Sequence, residues 1–249
     1  MRPMMLAVTA VLLPLTISAQ QARSFALESA AGLRLHNVTA EPVTLDGKRG
    51  VRLTVSAELT RRLQSLTPEQ QQQLAQRGNA DGVDVEQLAV IEGLDFSNGV
   101  IEADIAGALA PDAGTGARGF VGLAFRVQPD MKTYDAFYLR PTNGRAEDQE
   151  RRNHATQYIS HPDWPWFRLR QENPGKYESY VDLVPNVWTR IKIDVHGDRA
   201  RLYVNDNPQP ALIVNDVKSG ATAHGGVALW VGPGTIAHFR NVTVTPASQ

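Results

Sequence analysis

Apolar and polar positions alternate over most of this chain. From Val51 to Ala57, Val51, Leu53 and Val55 interleave with Arg52, Thr54 and Ser56, the period-two pattern of a half-buried strand. Leu33 to Val38, Leu88 to Ile91 and Val100 to Ile105 read the same way, the last two joined by the turn signal Ser97-Asn98-Gly99. Phe120 to Val127 would turn Val121, Leu123, Phe125 and Val127 inward and Arg126 outward. Trp188 to Val195 and Arg199 to Val204 predict a hairpin around His196-Gly197-Asp198. Val227 to Val231 and Ile236 to Val244 close the chain. Many short strands separated by turns predict an all-β fold, a two-sheet antiparallel jelly-roll sandwich.

One segment departs from this pattern. Thr67-Pro68-Glu69-Gln70 offers a threonine N-cap, a proline at the first helical position and a glutamine three residues after the cap. A helix is expected from there to about Arg77, stopping at Gly78-Asn79. Its surface is mostly polar, so it reads as an insertion at the edge of the sandwich, over about 67–77. The absence of internal repeats and linkers favours one domain, over 20–249.

The stretch from Tyr138 to Asp182 concentrates the chemistry, and the run that leads into it shares its pattern. Tyr134 to Arg140 sets Phe137 and Leu139 opposite Ala136, Tyr138 and Arg140. Read as a strand, Trp166 to Arg170 would set Phe167 and Leu169 opposite Trp166, Arg168 and Arg170. Tyr158 would stand opposite Ile159 in the same sense. A sheet with one side in the core turns its other side to solvent or to a ligand. The candidate binding face therefore carries Arg126, Tyr138, Arg140, Tyr158, Trp166, Arg168 and Arg170, rimmed by Asn143, Arg145, His154 and Trp164. Glu178 is the nearby acid. Aromatic faces stack on apolar ring faces, and arginine forks hydrogen-bond hydroxyls or carboxylates. The bland reading of the same residues is a surface of salt bridges to Glu147, Asp148, Glu150 and Asp163.

Composition narrows the class. Lys plus Arg number 25 and Asp plus Glu 26, for a net charge of -1. No general field draws the chain to nucleic acid or to an anionic membrane. With no cysteine, disulfides, thiolate metal sites and cysteine nucleophiles are excluded. The amino terminus reads as a secretory signal: Arg2, an apolar run from Met4 to Ile17, and Ser18-Ala19. The run is shorter than the roughly 20 residues that span a bilayer. Cleavage after Ala19 would leave a periplasmic or secreted bacterial protein, and with no cysteine after the run a lipid anchor is excluded.

The segments FSNGVIEADIAG, GFVGLAFRV, YDAFYLRP, VPNVWTRIKIDVHGDRARLYVND and GGVALWVGPGTIAHFRNVTV resemble the concanavalin-A-like lectin/glucanase sandwich superfamily. Within it they are similar to laminin-G-like domains and to bacterial 3-keto-disaccharide hydrolase-type domains. The resemblance runs from about Leu88 to Thr245 and implies a jelly roll whose concave face meets a sugar. It implies no particular activity, since one fold serves many functions.

A glycoside hydrolase of this fold would need two carboxylates about 5 to 9.5 Å apart. Glu102 and Asp104 resemble the Glu-x-Asp core of the family-sixteen glucanases, but Gly107 stands where the pattern's third acid belongs. They read better as outward residues of an early strand. No spacing selects a pair among Asp163, Glu172, Glu178 and Asp182, and the catalytic residues stay unassigned. The histidines lack the short paired spacing of a zinc site, and no serine sits in a Gly-x-Ser-x-Gly elbow. No cofactor is expected. Calcium enters only through the resemblance, and Asp206 and Asp216 read as turn formers. Three classes stay open: a carbohydrate-binding domain with a glycan partner, a sugar hydrolase or lyase, and a laminin-G-like protein-interaction module. Oligomeric state is not legible.

Overall fold

The computed structural model describes residues 21–77, 80 and 82–247. Two antiparallel sheets pack face to face over one apolar core. The strands of the first are β1 (Arg23–Phe25), β3 (Val38–Leu45), β4 (Lys48–Val55), β6 (Gly99–Leu109), β11 (Thr189–His196), β12 (Arg199–Val204), β13 (Leu212–Val214) and β15 (Thr235–Pro246). Their order is β13-β12-β11-β6-β15-β4-β3, with β1 on β15. The second sheet contains β2 (Leu33–His36), β5 (Leu88–Phe96), β7 (Val121–Val127), β8 (Tyr134–Leu139), β9 (Thr156–His161), β10 (Glu178–Ser179) and β14 (Gly225–Val231). It runs β10-β9-β8-β7-β14-β5-β2. The two-sheet sandwich read from the alternation is the observed architecture.

Alternation places the core. Ile101, Ala103 and Ile105 of β6 and Ile191, Ile193 and Val195 of β11 turn inward from the first sheet. Phe125, Phe137 and Phe96 answer from the second: Phe125 stacks on Phe137 with centroids 6.3 Å apart and meets Phe96 edge-on at 6.3 Å. On the outer face of the first sheet, Arg190 pairs with Glu102 at 3.1 Å and with Asp104 at 3.4 Å, and Arg240 lies 3.2 Å from Asp104. The glucanase-like acids are thus outward ion-pair partners. The hairpin expected around His196-Gly197-Asp198 joins β11 to β12, with Gly197 at φ 60°.

Several local expectations change. Leu33 to Val38 is two strands, because Asn37 adopts φ 57° and carries the chain from the second sheet to the first. Asparagine tolerates that left-handed conformation, and its side-chain amide donates to the Glu86 carbonyl at 2.9 Å. Ala57 opens a helix, α1 (Ala57–Gln64), capped by the Ser56 hydroxyl, which accepts from the Leu59 amide at 3.1 Å. The helical insertion therefore starts ten residues earlier than the sequence indicates, by the difference between Ala57 and Thr67. α2 (Pro68–Arg77) carries the expected capping box: Gln70 N donates to Thr67 Oγ1 at 3.2 Å and Thr67 N donates to Gln70 Oε1 at 3.1 Å. Gly78 and Asn79, its expected stop, lie outside the described residues, as does the signal segment.

The run Trp166 to Arg170 is a helix, α4 (Trp166–Glu172), where strand alternation is expected. Pro165 enters it directly, and its carbonyl accepts from Leu169 N at 3.1 Å. Helical spacing keeps Trp166 and Arg170 on one side, as i and i+4, and turns Arg168 away to pair with Glu172 at 2.8 Å. α4 packs on β9 and buries Leu169. A short helix, α3 (Gln149–Asn153), and a single 3-10 turn over Pro141–Asn143 complete the chain's helical parts near the second sheet.

Two assigned faces are also reversed. Tyr158 opposes Phe137 in the ladder and shares its inward face, so its hydroxyl donates to the buried Asp135 at 2.6 Å while Ile159 takes the outer face. Arg126 is the extra residue of a β-bulge, since Gly226 pairs with Val127 and Val227 with Phe125. At φ 55° its side chain leaves the outer face. Its guanidinium donates to the carbonyls of Ser97 (3.0 Å), Gly197 (2.8 Å) and Gly220 (2.7 Å) and to the Ser219 hydroxyl (2.9 Å). Arg126 ties three turns together at one end of the sandwich.

Removing that tie leaves the part-buried carbonyls of Ser97, Gly197 and Gly220 without this donor, each loss costing about 1–3 kcal/mol. Arg126→Met should therefore lower unfolding free energy by at least about 3 kcal/mol in urea titration. A loss below about 1 kcal/mol would show that the turns hold without it.

Candidate functional site

The outer face of the second sheet forms the floor of a trough of about 670 Å³. Neighbouring strands place Tyr138, Gly122 and Trp230 in one row across β8, β7 and β14. Gly122 is what lets the flanking rings meet. A Cβ there would lie 2.6 Å from Tyr138 Cβ and 2.2 Å from the Phe137 carbonyl oxygen. Without it, Tyr138 and Trp230 stack at 4.6 Å with planes 20° apart, and Phe120 meets Tyr138 edge-on at 5.9 Å. Ile159 and His161 extend the floor along β9, and Trp166 and Arg170 of α4 form one wall. Leu74 and Arg77 of α2 line it as well, so the insertion reaches the trough from the sandwich edge.

At one end Arg140 lies almost fully buried, and four groups hold its fork. It donates to the His154 carbonyl at 2.9 Å, Glu178 Oε1 at 3.1 Å, the Tyr138 hydroxyl at 3.0 Å and Gln157 Oε1 at 3.0 Å. Glu178, 6% exposed, also takes Arg170 in a two-point contact, Nε at 2.9 Å from Oε2 and Nη2 close on Oε1. His154 Nδ1 lies 2.9 Å from Glu178 Oε2, but the approach is not aligned as a hydrogen bond. Burial pushes the Glu178 carboxyl up, yet the Arg170 hydrogen bond and the Arg140, Arg170 and His154 charges outweigh it and hold it below the ordinary range. Arg170 is correspondingly raised: burial lowers it, and the bond and charge of Glu178 more than offset that.

At the other end of β8 a second network forms. Tyr134 OH donates to Glu86 Oε2, His161 Nδ1 lies 2.9 Å from Glu86 Oε1, and Trp230 Nε1 donates to the Tyr134 oxygen at 3.0 Å. Burial, together with the Glu86 charge, raises the Tyr134 hydroxyl well above its ordinary value. Arg140 follows Tyr134 by six positions, about 20 Å of extended chain at roughly 3.3 Å per residue. The trough thus has an arginine end and a carboxylate end.

Among the residues singled out from sequence, Tyr138, Arg140, Asn143, His154, Trp166 and Arg170 line this trough, and Glu178 stands behind them. Arg126 and Tyr158 face elsewhere, as described. Trp164 is excluded by its own neighbours, since Arg168 lies 3.9 Å and Lys218 Nζ 4.5 Å from its ring centroid. Arg168 serves Glu172 and the Asp163 carbonyl, and Arg145 makes an exposed two-point pair with Asp182 at 2.7 and 2.8 Å. Glu86, Phe120, Ile159, His161 and Trp230 are lining residues that local alternation did not select; Ile159 and His161 come in on β9, Trp230 on β14 beyond β7, and Glu86 and Phe120 from the segments that lead into β5 and β7. Tyr134's outward parity, shared with Tyr138, was the one local signal pointing toward Glu86 and His161.

For calcium, the two turn aspartates differ. Asp216 accepts from Tyr177 OH at 2.6 Å and from Lys176 and Lys218 Nζ, each at 2.9 Å. Burial works against its ionisation, but these donors bring its pKa down to about 2. A carboxylate facing two ammonium groups is not a calcium donor set. Among the described residues no cluster of three acidic or histidine side chains is arranged to hold a metal.

No protein-family model matches the sequence, and a search of the curated proteins gives no significant match. Solved structures do match. One is the carbohydrate binding module CBM66 from Bacillus subtilis, with a TM-score of 0.53 at 16% identity over 86% of this chain and 95% of that one. Another is a Bacillus subtilis protein of unknown function with a galectin-like fold, with a TM-score of 0.51 at 14% identity over 93% and 99%. The likeness is one of fold, a two-sheet antiparallel β-sandwich. The finer similarity to laminin-G-like and 3-keto-disaccharide hydrolase-type domains rests on the sequence segments alone.

Because Glu178 compensates the buried Arg140 guanidinium and also holds the part-exposed Arg170, Glu178→Gln should destabilise the fold by about 3–5 kcal/mol near neutral pH. The folded carboxyl sits below its ordinary value of 4.5. Its stabilisation is therefore complete above that pH and disappears as pH falls through the folded value. Unfolding measured from pH 7 to 3 should show the wild type and variant converging toward the acid end. Equal stabilities at pH 7 would remove the network from the account.

Proposed function

We propose that this protein binds a saccharide in the trough on its second sheet. The observation that carries the reading is the floor itself: stacked Tyr138 and Trp230, with Trp166 in the wall, beside arginine and asparagine donors in a single cavity. Aromatic faces cover the apolar face of a sugar ring, and fixed donors serve its hydroxyls. A volume of about 670 Å³ is that of a small-ligand site. The fold shared with a carbohydrate binding module and a galectin-like domain supports the same reading. The amino-terminal signal pattern supports export to the periplasm or beyond, where polysaccharides are met. Among the described residues no helix is long and apolar enough to cross a membrane.

Hydrolysis would ask for two carboxylates facing the sugar. Glu86 faces the trough, whereas Glu178 does not line it and is held ionised by its arginines, the wrong direction for a general acid. Glu102 and Asp104 lie on the other sheet. Binding without cleavage is accordingly favoured over the hydrolase or lyase alternative. A protein-interaction module would present a flatter apolar patch.

A glycan array with the mature protein, followed by an activity screen on any hit, tests the reading. Trp166→Ala should weaken binding of a hit by about 1–3 kcal/mol, the scale of one large apolar side chain. The melting temperature should fall little, because the ring is only half-buried, against Phe167 and the Arg170 guanidinium. An unfolded variant, or one with unchanged glycan affinity, would remove Trp166 from the site.

A further inference from the structure

The arginines of the trough fall into two sets. Arg140 and Arg170 share Glu178 as their salt-bridge partner. Arg118 and Arg151 line the same cavity, yet neither makes an ion pair among the described residues. Arg118 Nη1 donates only to carbonyls, those of Thr115 at 2.7 Å and Ala117 at 2.6 Å. Arg151 Nη2 reaches the Thr142 carbonyl at 3.5 Å and Asn143 Oδ1 at 3.4 Å, both at the outer limit of a hydrogen bond, and its buried Nε has no partner. Asp148 accepts the backbone amide of Arg151 at 3.1 Å, not its guanidinium.

Both residues meet one turn, Arg118 through its backbone and Arg151 through its side chain. The Arg118 carbonyl accepts from Thr142 N at 3.3 Å and Thr142 Oγ1 at 3.4 Å, while Arg151 reaches the same turn from α3. Arg140 begins that turn from below. Burial and then the charges of Arg151 and Arg140 hold Arg118 below its ordinary pKa. Two guanidiniums without a carboxylate partner, lining one end of a cavity beside the Glu178-paired Arg140, form an anion site. The acid that lines the trough, Glu86, is engaged by Tyr134 and His161 at the far end of β8.

We infer that the saccharide bound in the trough carries an anionic group, a carboxylate or a sulfate, seated between Arg118 and Arg151. This rests on the trough being a saccharide site. The guanidinium fork gives two parallel bonds to either anion, which a lysine would not. The aromatic floor then orders the attached ring, with the charged substituent toward the Pro141–Asn143 turn and the rest of the chain directed along β8 toward Glu86.

Calorimetric titration of the mature protein with three matched oligosaccharide series separates the outcomes: neutral, uronate-containing, and sulfated. At least one anionic series should bind ten times more tightly than the neutral one, with affinity falling as salt is raised. Whichever series gains identifies the anion. Arg151→Gln should weaken anionic binding at least about tenfold and leave neutral binding within about twofold; Arg151→Lys should recover part of the loss through charge alone. Arg151 makes only long contacts, so its variants should melt with the wild type. Arg118→Gln, checked by the same melt, gives an independent reading. Neutral sugars binding as tightly as anionic ones, or Arg151→Gln weakening both series equally, would overturn the anion site while leaving a saccharide site standing. No binding in any series would overturn the saccharide site itself, and the anion site with it.

Discussion

A single buried carboxylate sets the terms for the whole trough. Arg140 sits 5% exposed beneath an aromatic floor, a position that isolated guanidinium could not occupy without a large desolvation cost. Glu178 makes it possible, and its two oxygens reach Arg170 as well. The pair fixes Arg140 against Tyr138, whose ring it approaches at 5.0 Å and whose hydroxyl accepts its Nη2. It also fixes Arg170 against Trp166, at 4.9 Å. Two of the aromatic surfaces thus depend on the orientation of one acid from a two-residue strand at the edge of the sheet.

Sheet order supplies the rest of the geometry. Strand β14 is far in sequence from the consecutive strands β7 and β8 yet lies beside β7 in the sheet, and at Gly122 the middle strand is bare enough for Trp230 and Tyr138 to stack over it. The rim comes from connecting segments: the loop before β7, the Pro141–Asn143 turn with α3, the helix α4, and the insertion carrying α2. A rigid floor with a rim of loops is the usual division of labour between scaffold and site.

How much of this was legible follows from how local each determinant is. The Thr67 capping box is complete within four residues and was read residue by residue. The parity of β8 was equally clear, because Phe137 and Leu139 alternate with Tyr138 and Arg140 and no other assignment buries the apolar pair. For β9, Tyr158 and Ile159 are both apolar enough for the core, and the choice is made by Asp135 on the next strand, which needs the tyrosine hydroxyl. At Arg126 the alternation is regular in sequence, and the bulge that reverses it is imposed by Gly225 and Gly226 of the partner strand. Trp166 to Arg170 satisfies strand and helix periods equally over so short a run; Pro165 and the i,i+4 pair Arg168–Glu172 decide for helix. Glu86, Phe120 and Trp230 join the trough through pairings across the sheet, and no local pattern announces those.

The same separation between local and long-range determinants bears on charge. A net charge of -1 suggests no preference for an anionic partner, and the acids at 147, 148 and 150 stand in sequence where they could neutralise the nearby arginines. In the fold they do not. Asp148 is occupied as the cap of α3, and Arg151 is turned by that helix toward the Pro141–Asn143 turn. Glu178 is shared by Arg140 and Arg170 and has no oxygen left over for Arg118 or Arg151. Positive charge therefore accumulates at one end of a trough in a nearly neutral chain, because Asp148 caps α3 and Glu178 serves Arg140 and Arg170. Local fields of this kind are set by which donors the fold leaves unpaired, and composition alone does not report them.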